Sequence, residues 1–264
     1  MMSIVLAIVS MAALCCVFAL LLAVADNKLR VEEDPRVTAV YEALPGVNCG
    51  GCGFPGCMPF AEHVAAGEAP INGCAPGGSE TAQKIASIMG VESSNTEKQI
   101  AVVLCHGGRE ESVRNAEYRG VENCRAAVMI AGGGKECQYG CLGYADCVAS
   151  CPFDAITMNE NDLPVVDAER CTACGNCVEA CPRNLIELHA VSHKMFVFCK
   201  SLDKGPAVKK ACSVGCIGCR LCVKNSPVEN GITMQGSLAC INHDICPSSD
   251  LVVEKCPMNT IQLL

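Results

Sequence analysis

The chain opens on an apolar stretch. From Ile4 to Ala25 the only polar interruption in 22 residues is Ser10. Wound as a helix at about 1.5 Å per residue, that stretch spans a bilayer core of roughly 30 Å. Ala23-Val24-Ala25 has the form of a cleavage site, but no Lys or Arg precedes the run, which is also longer than the usual ~7–15-residue core of a signal peptide. A retained anchor is therefore the expectation, with Cys15 and Cys16 as small apolar fillers inside it. Lys28 and Arg30 follow directly, and the positive-inside rule then puts the body on the cytoplasmic side of the inner membrane. Beyond the anchor the apolar runs become short. Asp34-Pro35 offers an N-cap and a first-turn proline, and Pro45-Gly46 closes that helix. Ser79 to Met89 reads as a helix with Gly90 after its end, the polar Val91 to Lys98 as a linker, and Ile100 to Leu104 as a buried strand. Pieces such as AITMNENDLPVVD alternate around a polar turn and read as hairpins.

Composition shows how little hydrocarbon these elements have to bury. The chain has no Trp and ten Phe or Tyr in 264 residues, but 24 Cys. Side-chain burial alone does not hold such a body together. A cytoplasmic location argues against structural disulfides, so the 22 cysteines outside the anchor read as metal ligands. A net charge of −8 argues against nucleic acid as a partner.

Spacing identifies the metal chemistry. Cys171-x2-Cys174-x2-Cys177-x3-Cys181-Pro182 is the bacterial ferredoxin run, whose fourth cysteine serves the other cluster of a pair. A zinc site prefers two cysteine pairs set apart by a longer spacer. Upstream, Cys141, Cys147 and Cys151-Pro152 occupy the first, third and fourth positions of the same pattern, with Tyr144 at the second. Cys137 is the natural substitute. The expected ligand sets are Cys137, Cys141, Cys147 and Cys181 for one [4Fe–4S] cluster, and Cys151, Cys171, Cys174 and Cys177 for its twin.

CQYGCLGYADCVASCP, starting at Cys137, aligns without a gap with CSVGCIGCRLCVKNSP, starting at Cys212. The second copy places Cys216, Cys219 and Cys222 in the full spacing, and Cys256-Pro257 completes a set of four. Ser226 stands where a cysteine is expected. Cys240-x2-His243-x2-Cys246 keeps the frame with histidine at its centre, a doubtful further site whose cluster is expected to be lost. Cys49, Cys52, Cys57 and Cys74 form an independent N-terminal set among glycines; zinc stays open as its guest. Four cysteines then remain, Cys105, Cys124, Cys199 and Cys212, the number one more cluster needs. The expectation is about five [4Fe–4S] clusters, with a degenerate sixth left open.

No other cofactor motif accompanies them. The glycines of AGGGKEC are contiguous and no Ser or Thr follows the lysine, so it is not a phosphate loop, and no G-x-G-x-x-G opens a helix. His63, His106, His189 and His193 read as isolated surface or structural residues. With no nucleophile–base pairing, the chain carries no bond-making active site and reads as an electron wire. The anchor, NCGGCGFPGC, CTACGNCVEACPRNLIEL and KKACSVGCIGCRLC together resemble the B subunits of Rnf complexes, over essentially the whole chain. The resemblance implies a subunit of a membrane-bound, ion-translocating oxidoreductase that takes electrons from reduced soluble ferredoxin and passes them towards membrane and flavin-bearing partner subunits, on the way to NAD⁺. The departures are Ser226 and His243. A polyferredoxin relay of another membrane complex and a non-redox zinc scaffold are the alternatives.

The expected architecture is α+β: a transmembrane anchor (1–30), an N-terminal four-cysteine iron–sulfur segment (31–90), a linker and strand-containing segment (91–136), a two-cluster ferredoxin-like module (137–190) and a second, degenerate one (191–264). Between Val191 and Asn225 stand seven cations, Lys194, Lys200, Lys204, Lys209, Lys210, Arg220 and Lys224, against Asp203 alone. That segment is the expected dock for an acidic ferredoxin.

Overall fold

The computed structural model of the chain describes residues 2–29, 34–92 and 97–264. Arg30 of the basic flank and residues 93–96 of the expected linker lie outside the described residues. The first helix, α1 (Met2–Leu29), is continuous, and its stretch Ile8–Lys28 is long and apolar enough to cross a membrane, with none of it buried against the rest of the chain. Beyond α1 the chain mixes helices with short strands.

Three helices carry the N-terminal cysteines: α2 (Pro35–Ala43), α3 (Cys57–Ala65) and α4 (Gly78–Met89). Asp34 caps α2 by accepting the Arg36 N–H at 2.9 Å, and Pro35 occupies the first turn, where its missing N–H costs nothing. Pro45 disfavours helical backbone in the residue before it, and Leu44 is accordingly extended (φ −79°, ψ 153°). Gly90 ends α4 in left-handed backbone (φ 67°). The three helices close over Val40, Phe60, Val64 and Ile85.

The rest of the chain is built from two related units. The first runs β1 (Gln99–Val103), α5 (Cys124–Met129), a 3-10 turn (Ala131–Gly134), α6 (Asp146–Ala149), β2 (Ile156–Met158), β3 (Pro164–Val166), α7 (Asn176–Ala180) and β4 (Ile186–Ala190). The second runs β5 (Met195–Val197), α8 (Gly205–Ala211), α9 (Leu221–Lys224), β6 (Ile232–Gln235), β7 (Leu238–Ile241), α10 (Asp250–Glu254) and β8 (Ile261–Leu263). Each unit pairs its first strand antiparallel with its last, β1 with β4 from Gln99↔Ala190 to Val103↔Ile186, and β5 with β8 from Met195↔Leu263 to Val197↔Ile261. Each also holds an inner hairpin, β2–β3 and β6–β7.

From α6 onward equivalent positions lie 75 apart. Ala145 and Arg220 both enter their helices in left-handed backbone (φ 61° each), and Asn184 and Asn259 repeat that conformation after the second Cys-Pro. The gap-free alignment of the two cysteine segments is thus also an alignment of backbones. Before that point the units differ, because the connector from β1 to Cys137 is much longer than the one from β5 to Cys212. Val102 and Leu104 of the first unit bury themselves against Phe196 and Phe198 of the second, forming the seam between them.

Candidate iron–sulfur sites

Twenty cysteines gather into five groups of four. Cys49, Cys52 and Cys57 surround Cys74, whose thiol is pushed up first by burial and then by those three neighbours. The Asn48 carboxamide oxygen accepts the Cys57 N–H at 2.8 Å and so sets the start of α3, which carries Cys57. The other groups each line a cavity: Cys151, Cys171, Cys174 and Cys177 the second; Cys124, Cys141, Cys147 and Cys181 the third; Cys105, Cys137, Cys199 and Cys212 the fourth; Cys216, Cys219, Cys222 and Cys256 the fifth. These four cavities are alike in size. Among the described residues, no three His, Cys, Asp or Glu side chains converge on a point where one metal ion fits. The thiols ring a space instead.

The short helices explain how each group assembles. α6, α7 and α9 place Cys147, Cys177 and Cys222 at the second position of a short helix and bury them. After each Cys-Pro the chain turns back, so that the Cys151, Cys181 and Cys256 sulfurs accept the N–H groups of Ala155, Leu185 and Thr260 at 3.3–3.4 Å. Burial pushes the Cys141, Cys177 and Cys199 thiols up to about 12, and Cys147 and Cys222 to about 11, with neighbouring thiols adding to the effect. Such thiols stay protonated without a metal partner, so loading the sites releases protons.

The structure departs from the spacing-based grouping at one exchange. Cys124, not Cys137, stands with Cys141, Cys147 and Cys181, and Cys137 stands with Cys105, Cys199 and Cys212. The cause is the long connector of the first unit. It folds into α5, whose start is clamped by the Asp146 carboxylate: one oxygen accepts the Cys124 N–H at 3.0 Å, the other the Arg125 N–H at 3.2 Å. The Asn123 side chain caps the same helix through the Ala126 N–H. Cys124 is thereby delivered to the place left open by Tyr144.

Cys240, His243 and Cys246 do not come together. The Cys240 thiol faces the Gln235 carboxamide at 3.8 Å, while Cys246 neighbours Ser226. At the 75-residue offset, Cys151, Cys171, Cys174 and Cys177 correspond to Ser226, Cys246, Ser249 and Val252. Val252 is fully buried in the core of the second unit, beside Cys222 and Cys246. One sulfur out of four survives at that position, and a valine lies in the core there.

His243 stacks on His193 instead (centroids 4.7 Å apart, planes 12° apart) and meets His189 and Phe196 at 4.8 Å. His189 and His193 are therefore not isolated. His63 pairs with Glu68, and His106 stacks on Phe198. Burial, then the charges of His189 and His193, hold His243 down at about 4, against the opposing pull of Glu187 and Asp244. Between about pH 6.5 and 4 the unfolded chain thus takes up a proton that the folded one refuses, and stability falls as the pH drops through that window. The melting temperature of the loaded protein is expected to drop between pH 7 and 5, and less so in His243→Phe, which keeps the ring contact without the proton site. Parallel losses in both proteins would remove His243 as the cause.

Family models match two stretches of the chain that carry cysteine runs. A family model for an Fe-S cluster matches residues 44–76, enclosing the first group of cysteines, and a 4Fe-4S binding domain model matches residues 164–187, enclosing the Cys171 to Cys181 run. The B subunit of the Na(+)-translocating ferredoxin:NAD(+) oxidoreductase complex of Acetobacterium woodii is 43% identical over 93% of this chain and 73% of its own length. Its counterpart in the ion-translocating oxidoreductase complex of Methanosarcina acetivorans is 39% identical over 92% of both chains. The counterpart in the proton-translocating ferredoxin:NAD(+) oxidoreductase complex of Clostridium ljungdahlii is 41% identical over 94% of this chain and 88% of its own. With such similarity over more than nine-tenths of its length, the chain belongs to the family of membrane-associated B subunits of ion-translocating oxidoreductase complexes, ferredoxin:NAD(+) oxidoreductases among them.

Proposed function

We propose that this subunit carries five [4Fe–4S] clusters in a row and relays electrons from reduced soluble ferredoxin to the membrane and flavin-bearing subunits of its complex, which reduces NAD⁺ and translocates ions. The observation that carries the reading is contact between successive groups of cysteines. The first meets the second where the Asn176 side chain donates to the Cys49 carbonyl at 3.1 Å. Gly51 packs so closely there that any side chain would collide with the Cys174 carbonyl oxygen. The second meets the third through Cys177 and Cys147, adjacent on the packed helices α7 and α6. The third meets the fourth where the Cys141 N–H donates to the Cys105 sulfur at 3.3 Å, and the fourth meets the fifth where Cys199 accepts the Cys216 N–H.

A bound [4Fe–4S] cluster supplies a one-electron carrier whose potential is set by net charge, hydrogen bonds to sulfur and exposure. The chain's own part is to hold four thiolates around each cavity, exclude water from them and donate backbone N–H groups to their sulfurs. In this reading Cys137 belongs with Cys105, Cys199 and Cys212 as ligands of the fourth cluster, and Cys124 completes the third.

The ends of the row support a direction. The first group follows α1 by about twenty residues, so it lies near the membrane if α1 spans it. Lys28 in the last turn supports a body on the cytoplasmic side of the inner membrane. At the far end, Cys219 is the one exposed cysteine of the twenty, and that end suits a soluble donor.

Anaerobically purified protein is expected to contain roughly 20 iron and 20 acid-labile sulfide per chain. Because so little hydrocarbon is buried, the chain stripped of iron is expected to melt without a cooperative transition. Zinc in place of iron, or a well-folded apo form, would overturn the reading in favour of a metal-bound scaffold.

A further inference from the structure

Lys135 is 4% exposed and, among the described residues, the only buried side chain of the Asp, Glu, Lys or Arg type. Its Nζ donates to the Gly107 carbonyl at 2.6 Å and the Cys141 carbonyl at 2.5 Å, with no carboxylate paired to it among the described residues. It lines the cavity of Cys105, Cys137, Cys199 and Cys212, while its Cys141 partner belongs to the cavity of Cys124, Cys141, Cys147 and Cys181. The ammonium thus sits between the third and fourth groups.

An ammonium buried without an anion is costly. The anion within its reach would be a cluster held by the thiols that ring the two cavities. A second cation backs the same place. The half-buried Arg183 guanidinium donates to the carbonyls of Cys137 at 2.8 Å and Gly140 at 2.7 Å. The other groups lack a buried cation. No charged side chain lines the cavity of Cys151, Cys171, Cys174 and Cys177, and no Lys or Arg occurs in sequence between Arg36 and Lys84, the stretch that holds the first group. Arg220 lines the fifth cavity but is exposed, so water screens its charge.

We propose that Lys135 is a potential-setting residue, a fixed buried cation that raises the reduction potentials of the third and fourth clusters above those at the ends of the row. The inference rests on the relay reading. Reduction adds a negative charge, and a cation held nearby in a low-dielectric interior stabilises the reduced form more than the oxidised one. Electrons entering at either end then settle in the middle of the subunit. Arg183 acts in the same direction through backbone that carries Cys137.

The test is an EPR-monitored redox titration of the full-length, anaerobically purified protein and two variants. Lys135→Met removes the charge and the hydrogen bonds. Lys135→Gln removes the charge but keeps a donor for the Gly107 and Cys141 carbonyls. With iron content unchanged, both are expected to move two of the five midpoint potentials to more negative values and leave the others in place, while Lys135→Arg stays near wild type. Full iron with unmoved midpoints in Lys135→Gln, or an equal shift of all five, overturns the inference. Zinc in place of iron in the wild-type chain would instead defeat the relay reading beneath it.

Discussion

Cys124→Ala is expected to lose about four iron atoms per chain, one cluster of the five, and to erase the same EPR signal as Cys181→Ala. Cys137→Ala is expected to remove a different signal, the one also lost in Cys212→Ala. The pairing follows from which side chains face a common cavity, Cys124 with Cys141, Cys147 and Cys181, and Cys137 with Cys105, Cys199 and Cys212. Cys151→Ala must spare both signals, because that thiol stands with Cys171, Cys174 and Cys177. Asp146→Ala offers a gentler version of the same experiment. It keeps every thiol but frees the Cys124 and Arg125 N–H groups, so the third cluster becomes the most easily bleached. If Cys124→Ala and Cys212→Ala abolish one and the same signal, the grouping is wrong.

The elements close to a strong local signal are legible in the sequence. The apolar run shows in α1, Asp34-Pro35 in the cap of α2, Gly90 in the end of α4, and the alternation around Asn159 to Asp162 in the β2–β3 hairpin. The Cys-x2-Cys spacings are equally local, since residues three apart in a tight turn present their sulfurs to one space. What spacing does not report is a ligand delivered by a connector. Nothing about Cys124 in sequence points at Cys141; Asp146 does that in three dimensions.

A signal for the exchange nonetheless exists. Cys212 has no duty in its own repeat, where Cys219 is present, and Cys137 is its equivalent 75 positions earlier. If one of the pair is free to serve a site shared by both units, so is the other. The fourth group has that symmetry: Cys137 and Cys212 from the repeats, and Cys105 and Cys199 from just beyond β1 and β5. The histidines look solitary along the chain for the same reason. His189 and His193 meet His243 across the join of the two units, and no local pattern encodes such a contact.

Reversing three cations at the far end, Lys204, Arg220 and Lys224 to Glu, is expected to slow reduction by an acidic ferredoxin by roughly 10- to 1,000-fold at low salt, within the range of electrostatic steering. Two of the seven cations of the basic segment are already paired within the chain. Lys200 is engaged with Glu187, and Lys210 reaches towards Glu136. Arg220 enters α9 directly after the exposed Cys219, with Lys224 one turn later on the same helix. Lys204 directly precedes α8, and Gly205 beside it packs against Ile217, a residue of the Cys219 cavity; a side chain on Gly205 would lie 2.6 Å from the Ile217 carbonyl. Leu202 and Leu221 are exposed in the same stretch, at 48% and 39%, and would supply apolar contact to a partner that the charges had oriented. Steering of this kind depends on screening, so the variant and the wild type should converge as the Debye length shrinks from about 30 Å at 0.01 M salt to about 3 Å at 1 M. Because Arg220 lines the fifth cavity, iron content serves as the control that this cluster is still in place, and reduction by dithionite, a small donor that needs no dock, should not change. Wild-type rates with wild-type salt dependence in the triple variant would move the ferredoxin dock away from Cys219, and with it the direction of flow from the far end towards the membrane.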